Sequence, residues 1–354
     1  MIKTVTLSQK EDWDFYVQNS FIHDFYHTWQ YHTLDKSGVA LLLVYEEDNA
    51  YIAFPLLKRE IPDSPFFDLC SVYGYPGPIA NVEIQYIKEE LIQNFKNSFL
   101  NYLREEKIVS VFSRLHPFFS QDRLISDFDG IHNNGQTVAI DLSLPIEVQR
   151  KKYKSDTFRS IKKSWKKGFW IKETKEIEDV DIFIEIYKEN MQRIHSTEYY
   201  LFDRQYFLGL INSEEFDCRL LLVCAENEVM CGTLIILTHG IIQGHLIATK
   251  NAYLRESPAK FLVDGISVIG RNEGMKYMNL GGGLGFKKDS LFQWKSSFSD
   301  LFLDYKSFRF IVNPSAYKAL VDKTGLSKHI NIDFFPLYRA VLNFMTYGCF
   351  HLIV

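Results

Sequence analysis

Ser257-Pro258-Ala259-Lys260-Phe261-Leu262, followed after Gly274 by Met275-Lys276-Tyr277-Met278-Asn279-Leu280-Gly281-Gly282-Gly283, is the stretch that decides the fold. Serine followed by proline is a helix start: the hydroxyl can serve the free amides, and the ring suits the first helical position. Phe261, Leu262, Ile266 and Ile269 make one apolar helix face, Gly274 ends the helix, and residues 275–280 read as a strand. Upstream, 181–196 reads as a helix, 220–225 and 232–238 as paired strands, and 241–249 as a third strand. Helix, antiparallel strands, capped helix and strand, with glycines where the last strand ends, predict a layered α/β (α+β) domain.

The glycines sit in a longer run that reads as strand-like and closes on the pair Trp294-Lys295. Four glycines in five residues, Gly281, Gly282, Gly283 and Gly285, fit either a turn or a place where a ligand lies against backbone.

The first part of the chain has the same grammar. Helices are expected at 12–19 and 25–36, a hairpin from 39–45 and 50–57, an amphipathic helix at 84–106 and a strand at 108–113. Between hairpin and helix, residues 66–78 are rich in Gly, Pro and Tyr and predict an irregular loop suited to binding. A second block begins near Leu144-Pro145, so the two halves look alike. It opens with nine Lys and Arg against one Asp over residues 150–168. Phe158, Ile161 and Trp165 are expected on the apolar side of that helix, lysines on the rest, and Gly168 in a left-handed cap. The lysine face reads either as solvated surface or as an anion site for the phosphates of a nucleotide-linked or lipid-linked substrate or of tRNA.

The 354 residues, 46% of them apolar, allow two ordinary domains with real cores, and a net charge of -4 argues against a general nucleic-acid binder. The five cysteines form no Cys-x-x-Cys pair and read as reduced core residues of a cytoplasmic protein. No export signal is expected, and the apolar residues 340–354 are too few to cross a bilayer and are expected to be buried. The Walker A, dinucleotide and nucleophile-elbow templates all fail around Gly281 and Gly265. The histidines show no metal-ligand spacing, so no metal site is expected. Backbone amides, tyrosines, a lysine-rich helix and scattered carboxylates remain, a set suited to acyl transfer onto an amine by positioning and oxyanion stabilisation.

Residues 71–78, the 159–168 helix and glycine, 186–193, Tyr200-Leu201-Phe202 with Tyr206-Phe207, Ser257-Pro258-Ala259, Leu280-Gly281-Gly282-Gly283, residues 294–298 and residues 335–339 together resemble the FemAB-like aminoacyltransferases of the GNAT acyltransferase superfamily, in their compact FemX-like form. The resemblance implies two tandem GNAT-like domains, 1–147 completed by 312–354, and 148–311. It implies an N-acyltransferase that moves an aminoacyl or acetyl group onto an amine of a peptidoglycan or surface-polysaccharide precursor. The donor would be aminoacyl-tRNA or acyl-CoA, with no tightly bound cofactor. The acceptor would be a cell-envelope precursor, the further partners tRNA and a membrane surface at its cytoplasmic face, and DNA none.

Carried over residue by residue, Lys295 would act on the donor carbonyl or its phosphate, and Asp68 would accept the attacking ammonium's proton. Tyr73 and Tyr75 would line the acceptor pocket, and Arg159, Lys162 and Lys163 would bind acceptor phosphates. Tyr199, Tyr253, Gly281, Gly282, Gly283 and Trp294 complete the substrate-binding set. Arg255–Lys260 stands where typical GNAT enzymes carry the pyrophosphate-binding Arg-x-x-Gly-x-Gly/Ala loop, so a coenzyme A donor would depend on the helix N-terminus there. The readings from other classes are a non-catalytic binder of RNA or anionic glycan through 150–167, and an inactive family member.

Overall fold

The computed structural model describes residues 1–196, 200–325 and 333–340. Tyr199, Cys349 and, after Ala340, the apolar residues expected to be buried lie outside the described residues. The chain divides into two compact units, Met1–Asn134 with the segment from Tyr305, and Gly135–Asp304.

The first unit contains β1 (Ile2–Thr6), α1 (Lys10–Gln18), α2 (Trp29–Thr33), β2 (Val39–Glu47), β3 (Ala50–Glu60), β4 (Phe67–Cys70), β5 (Ile79–Ala80), α3 (Glu89–Glu105), β6 (Ile108–Arg114) and α4 (Asp122–Ile125). Strand β7 (Ile131–Asp141) leads into the second unit, which holds α5 (Ile146–Lys151), α6 (Ser155–Lys166), β8 (Trp170–Thr174), α7 (Ile177–Arg193), α8 (Arg204–Ile211), β9 (Asp217–Ala225), β10 (Glu228–Thr238), β11 (Ile241–Thr249), α9 (Pro258–Asn272), β12 (Tyr277–Gly281) and α10 (Ser290–Lys295). Strand β13 (Leu301–Ile311) returns to the first unit, which ends with α11 (Pro314–Lys323). The compact units divide after Asn134 and after Asp304, inside two eleven-residue strands. The Leu144 carbonyl, near the start of the second block, accepts from Arg271 Nε and Nη2 of α9 at 3.1 and 3.0 Å.

Each unit has a mixed sheet of the same grammar. In the first, β2, β3 and β4 are antiparallel, α3 crosses over, and β6 returns parallel to β4. In the second, β9, β10 and β11 are antiparallel, α9 crosses over, and β12 returns parallel to β11. The apolar face of α3 buries Phe95 and Phe99 with Phe54 and Phe308, while α9 buries Leu262 and Ile266 with Leu221, Ile235 and Met278. Full burial of such side chains stabilises by about 1.5–3 kcal/mol each before conformational entropy is charged against it.

Four local expectations are corrected. Residues 67–70 are a strand rather than loop, because Lys58↔Leu69 and Arg59↔Asp68 supply a pairing edge that composition does not reveal. Ser257 does not cap α9: it sits at φ 53°, ψ 46° with no side-chain hydrogen bond, joining a 3-10 turn to the helix. The buried side of α6 is Thr157, Ile161 and Ser164, leaving Phe158 half-buried and Trp165 40% exposed. Residues 290–295 are helical, because Asp289 caps them by accepting from Phe292 N at 2.9 Å. Gly168 does take the left-handed conformation, φ 73°, and the amides of Gly168 and Phe169 reach back to Trp165 O and Ser164 O.

Candidate active site

In the second unit's sheet one ladder stops short. Parallel strands β11 and β12 share only three rungs, the last being Gln243↔Asn279, and both chains continue beyond it. Asn279 Nδ2 closes that rung by donating to Gln243 Oε1 at 2.9 Å, and Asn279 Oδ1 accepts from Gly281 N at 2.9 Å. Both side chains are 2% exposed, so two polar groups end the shared ladder. Directly past it, β11 carries an irregularity: Ile235 opposes Gly244 while Leu234 opposes Leu246, so His245 is the extra residue. A bulge removes its residue from regular pairing and re-aims its side chain. The buried His245 imidazole meets the buried Tyr206 hydroxyl at 2.7 Å, Nε2 to OH. Tyr206 is in turn stacked on Phe202, with ring centroids 4.0 Å apart.

On the β12 side the glycines follow. Gly281 has φ 72°, and the Gly282 carbonyl accepts from Lys295 Nζ at 2.6 Å. The expected donor-facing backbone is corrected at Gly283. A Cβ there would collide with Lys287 O and Asp289 Oδ1 and lie 3.0 Å from Phe292 Cβ, so its space is filled by the chain's own returning loop. Asp289 holds that loop, accepting from Leu284 N and Phe292 N, each at 2.9 Å. Gly283→Ala is therefore expected to loosen the loop that carries Lys295, costing about 1–3 kcal/mol by overpacking against backbone. A thermal melt with wild-type stability would refute this.

Lys295 is half-buried. Burial of its ammonium draws the pKa from 10.5 down to about 8, with Asp289 pulling the other way. At neutral pH the group is still mainly a cation, held in a weakly solvated place on the Gly282 carbonyl, and Gly282 lies three residues past the last β11–β12 rung. Because Asp289 favours the charged form, Asp289→Asn is expected to lower the Lys295 pKa further. Any alkaline loss of activity should then move to lower pH, and a pH–rate profile displaced upward would contradict the assignment.

The structure brings together Gly281, Gly282, Gly283 and Lys295 from the expected set. Trp294 packs into the unit's core, edge-on to Phe298 at 5.2 Å. Arg159, Lys162 and Lys163 are exposed on α6, with Lys162 Nζ 4.4 Å from the Phe158 ring centroid. Tyr253 lies on the 3-10 turn before α9, its hydroxyl 3.5 Å from Glu228 Oε2.

In the first unit the corresponding place between β4 and β6 is filled by the chain. Ser71 N donates to Phe112 O at 2.9 Å and Gly77 N to Arg114 O at 3.2 Å. Tyr75 between them is 9% exposed and packs edge-on to Tyr26, His116 and Tyr305. It belongs to the buried core there. Tyr73 is half-buried, near the Arg114 guanidinium.

Asp68 is corrected most sharply. Its side chain has no exposure, Arg59 Nε donates to Oδ1 at 2.8 Å, and Oδ2 receives Tyr338 OH at 3.0 Å and Arg339 Nε at 2.5 Å. Two cations and a hydroxyl occupy the carboxylate, which leaves no approach for an attacking ammonium.

The residues that sequence reasoning passed over are Gln243, Asn279, His245, Tyr206 and Asp289. Gln243 and Asn279 did carry a signal, as polar residues inside otherwise apolar strands.

No family model and no curated protein matches this sequence. Solved structures do match. FemX aligns at a TM-score of 0.67 with 14% identity, over 90% of this chain and 99% of its own. The C-terminal domain assigned to a lysylphosphatidylglycerol synthetase of Agrobacterium fabrum aligns at 0.56 with 15% identity, over 92% and 98%. L-PGS from Bacillus licheniformis aligns at 0.55 with 10% identity, over 85% and 90%. The chain therefore has the fold of FemX, an α+β architecture of two units.

Proposed function

We propose that this protein is an aminoacyltransferase that moves an aminoacyl group from an RNA ester to an amine of a cell-envelope precursor, with chemistry in the second unit. The observation that carries the reading is a weakly solvated Lys295 ammonium on the carbonyl of Gly282, three residues past the last β11–β12 rung. The likeness to FemX and L-PGS supports it at the level of fold.

The end of the β11–β12 ladder receives the ester, with its carbonyl toward Lys295. The neutral acceptor amine attacks that carbonyl; an N–C bond forms and the oxygen becomes an oxyanion. Lys295 stabilises that charge where little water competes, so its Coulombic effect is larger than in solution. Collapse breaks the ester C–O bond, and the proton lost by the amine ends on the departing ribose hydroxyl. No covalent enzyme intermediate is needed.

The α9 N-terminus favours an ester donor over coenzyme A. Pro258 at the first helical position has no N–H, the Ser257 and Lys260 amides are bound to Leu254 O and Ser257 O, and the preceding Glu256 carboxylate pairs with Lys167 at 2.5 Å. A diphosphate would find few amides and a carboxylate.

Purified protein with labelled aminoacyl-tRNA, and separately with labelled acetyl-coenzyme A, is the test, each mixed with amine-bearing envelope precursors. Transfer from aminoacyl-tRNA alone is expected. Transfer from acetyl-coenzyme A alone would overturn the donor assignment, and transfer from neither would overturn the enzymatic reading.

A further inference from the structure

Helix α6 has an outer face that the reaction above does not use. Ordinary helical geometry, about 100° per residue, places Arg159, Lys162, Lys163 and Lys166 within one arc of roughly 100°. The buried Thr157, Ile161 and Ser164 lie on the opposite side. All four cations are exposed, as are Lys151 and Lys154 just before them. Among the described residues no carboxylate lies within 4.0 Å of these six, whereas neighbouring Lys152 and Lys167 are paired with Asp300 and Glu256. This unneutralised charge belongs to a chain whose net charge is -4.

The same segment exposes apolar surface. Trp165 flanks the cationic arc, about 60° from Lys162 on the helical wheel, and is 40% exposed. Trp170, just past the Gly168 turn, is 48% exposed. Helix packing does not require this, since Ile161 already anchors α6 with no exposure of its own.

We propose that this face docks the protein on an anionic phospholipid membrane. Lysine dominates, five of the six unpaired cations, and its compact charge suits diffuse attraction to headgroups, whereas forked, stacking recognition of nucleic acid favours arginine. Tryptophan beside those lysines suits the headgroup level, where one side of the ring is wet and the other apolar. Among the described residues no helix is long and apolar enough to cross a membrane.

The test is cosedimentation of the full chain with vesicles of phosphatidylcholine alone or mixed with phosphatidylglycerol. Binding only to the anionic vesicles is expected, weakening with salt. Arg159→Ala, Lys162→Ala, Lys163→Ala and Lys166→Ala combined should weaken it about a hundredfold or more, with an unchanged melting temperature. Anionic vesicles should also shift the tryptophan emission to the blue, and Trp165→Phe should reduce that shift. Equal binding to neutral vesicles, undiminished binding of the quadruple variant, or capture of a tRNA without capture of vesicles would overturn the proposal. None of these readouts involves acyl transfer, so the membrane face and the reaction fail independently.

Discussion

Lys295→Met is expected to lower kcat for aminoacyl transfer by about 10²–10³-fold, the usual cost of removing one preorganised group from a developing oxyanion. KM should change little, because the charge it answers exists only in the transition state. The melting temperature should hold or rise: the ammonium is desolvated and, among the described residues, makes one hydrogen bond, to Gly282 O, so an apolar chain of similar length loses little there. The pH profile gives a second reading of the same residue. Lys295 is charged below its pKa of about 8 and neutral above it, so activity should fall on the alkaline side through that value. Lys295→Arg should erase the alkaline limb, because guanidinium stays charged. Full activity in Lys295→Met, or a wild-type rate that climbs steadily above pH 9, would remove Lys295 from the mechanism.

Asp68→Ala should destabilise the first unit by about 3–5 kcal/mol, the range for removing one partner of a buried ion pair. The structural cause is specific. Without the carboxylate, Arg59 and Arg339 face each other's charge with side chains only 21% and 17% exposed, and the Tyr338 hydroxyl keeps Ser110 Oγ, at 2.8 Å, as its hydrogen-bond partner. These contacts fasten the returning segment that carries Tyr338 onto β3, β4 and β6, so the loss should appear as early unfolding of that unit. Chemical denaturation read by fluorescence and by limited proteolysis measures it. Asp68→Asn separates the two roles: a stable but inactive Asn variant would restore Asp68 as a general base, whereas an unstable one with residual turnover fits the lock.

Much of the architecture was legible because it follows short-range rules. The hairpins, the apolar faces of α3 and α9, the Gly168 turn and the likeness of the halves all come from periodicity and turn chemistry within roughly 20 residues. The errors share a different cause. Strand β4 needed Arg59 across from Asp68. Helix α6 turned on the axis expected for it because Thr157 found Ser297 Oγ at 2.8 Å, which buried a threonine and left Trp165 outside.

The site divides the same way. A glycine-rich turn ending in a lysine was visible in the chain, and sequence alone left open whether those glycines meet a ligand or merely turn. Tertiary structure decided that Gly283 is small because Lys287 O and Asp289 occupy its side, and that Lys295, thirteen residues on, returns to Gly282. It also decided that Asp68, a carboxylate in a loop on paper, is enclosed by residues about 270 positions away. The physical reason is range. Propensity, capping and periodicity act between neighbours and write the elements into the sequence, while burial, charge pairing and the parting of two strands depend on what distant segments bring. Sequence by itself determined the elements and their order; only the folded chain determined which polar groups are structural and which face the chemistry.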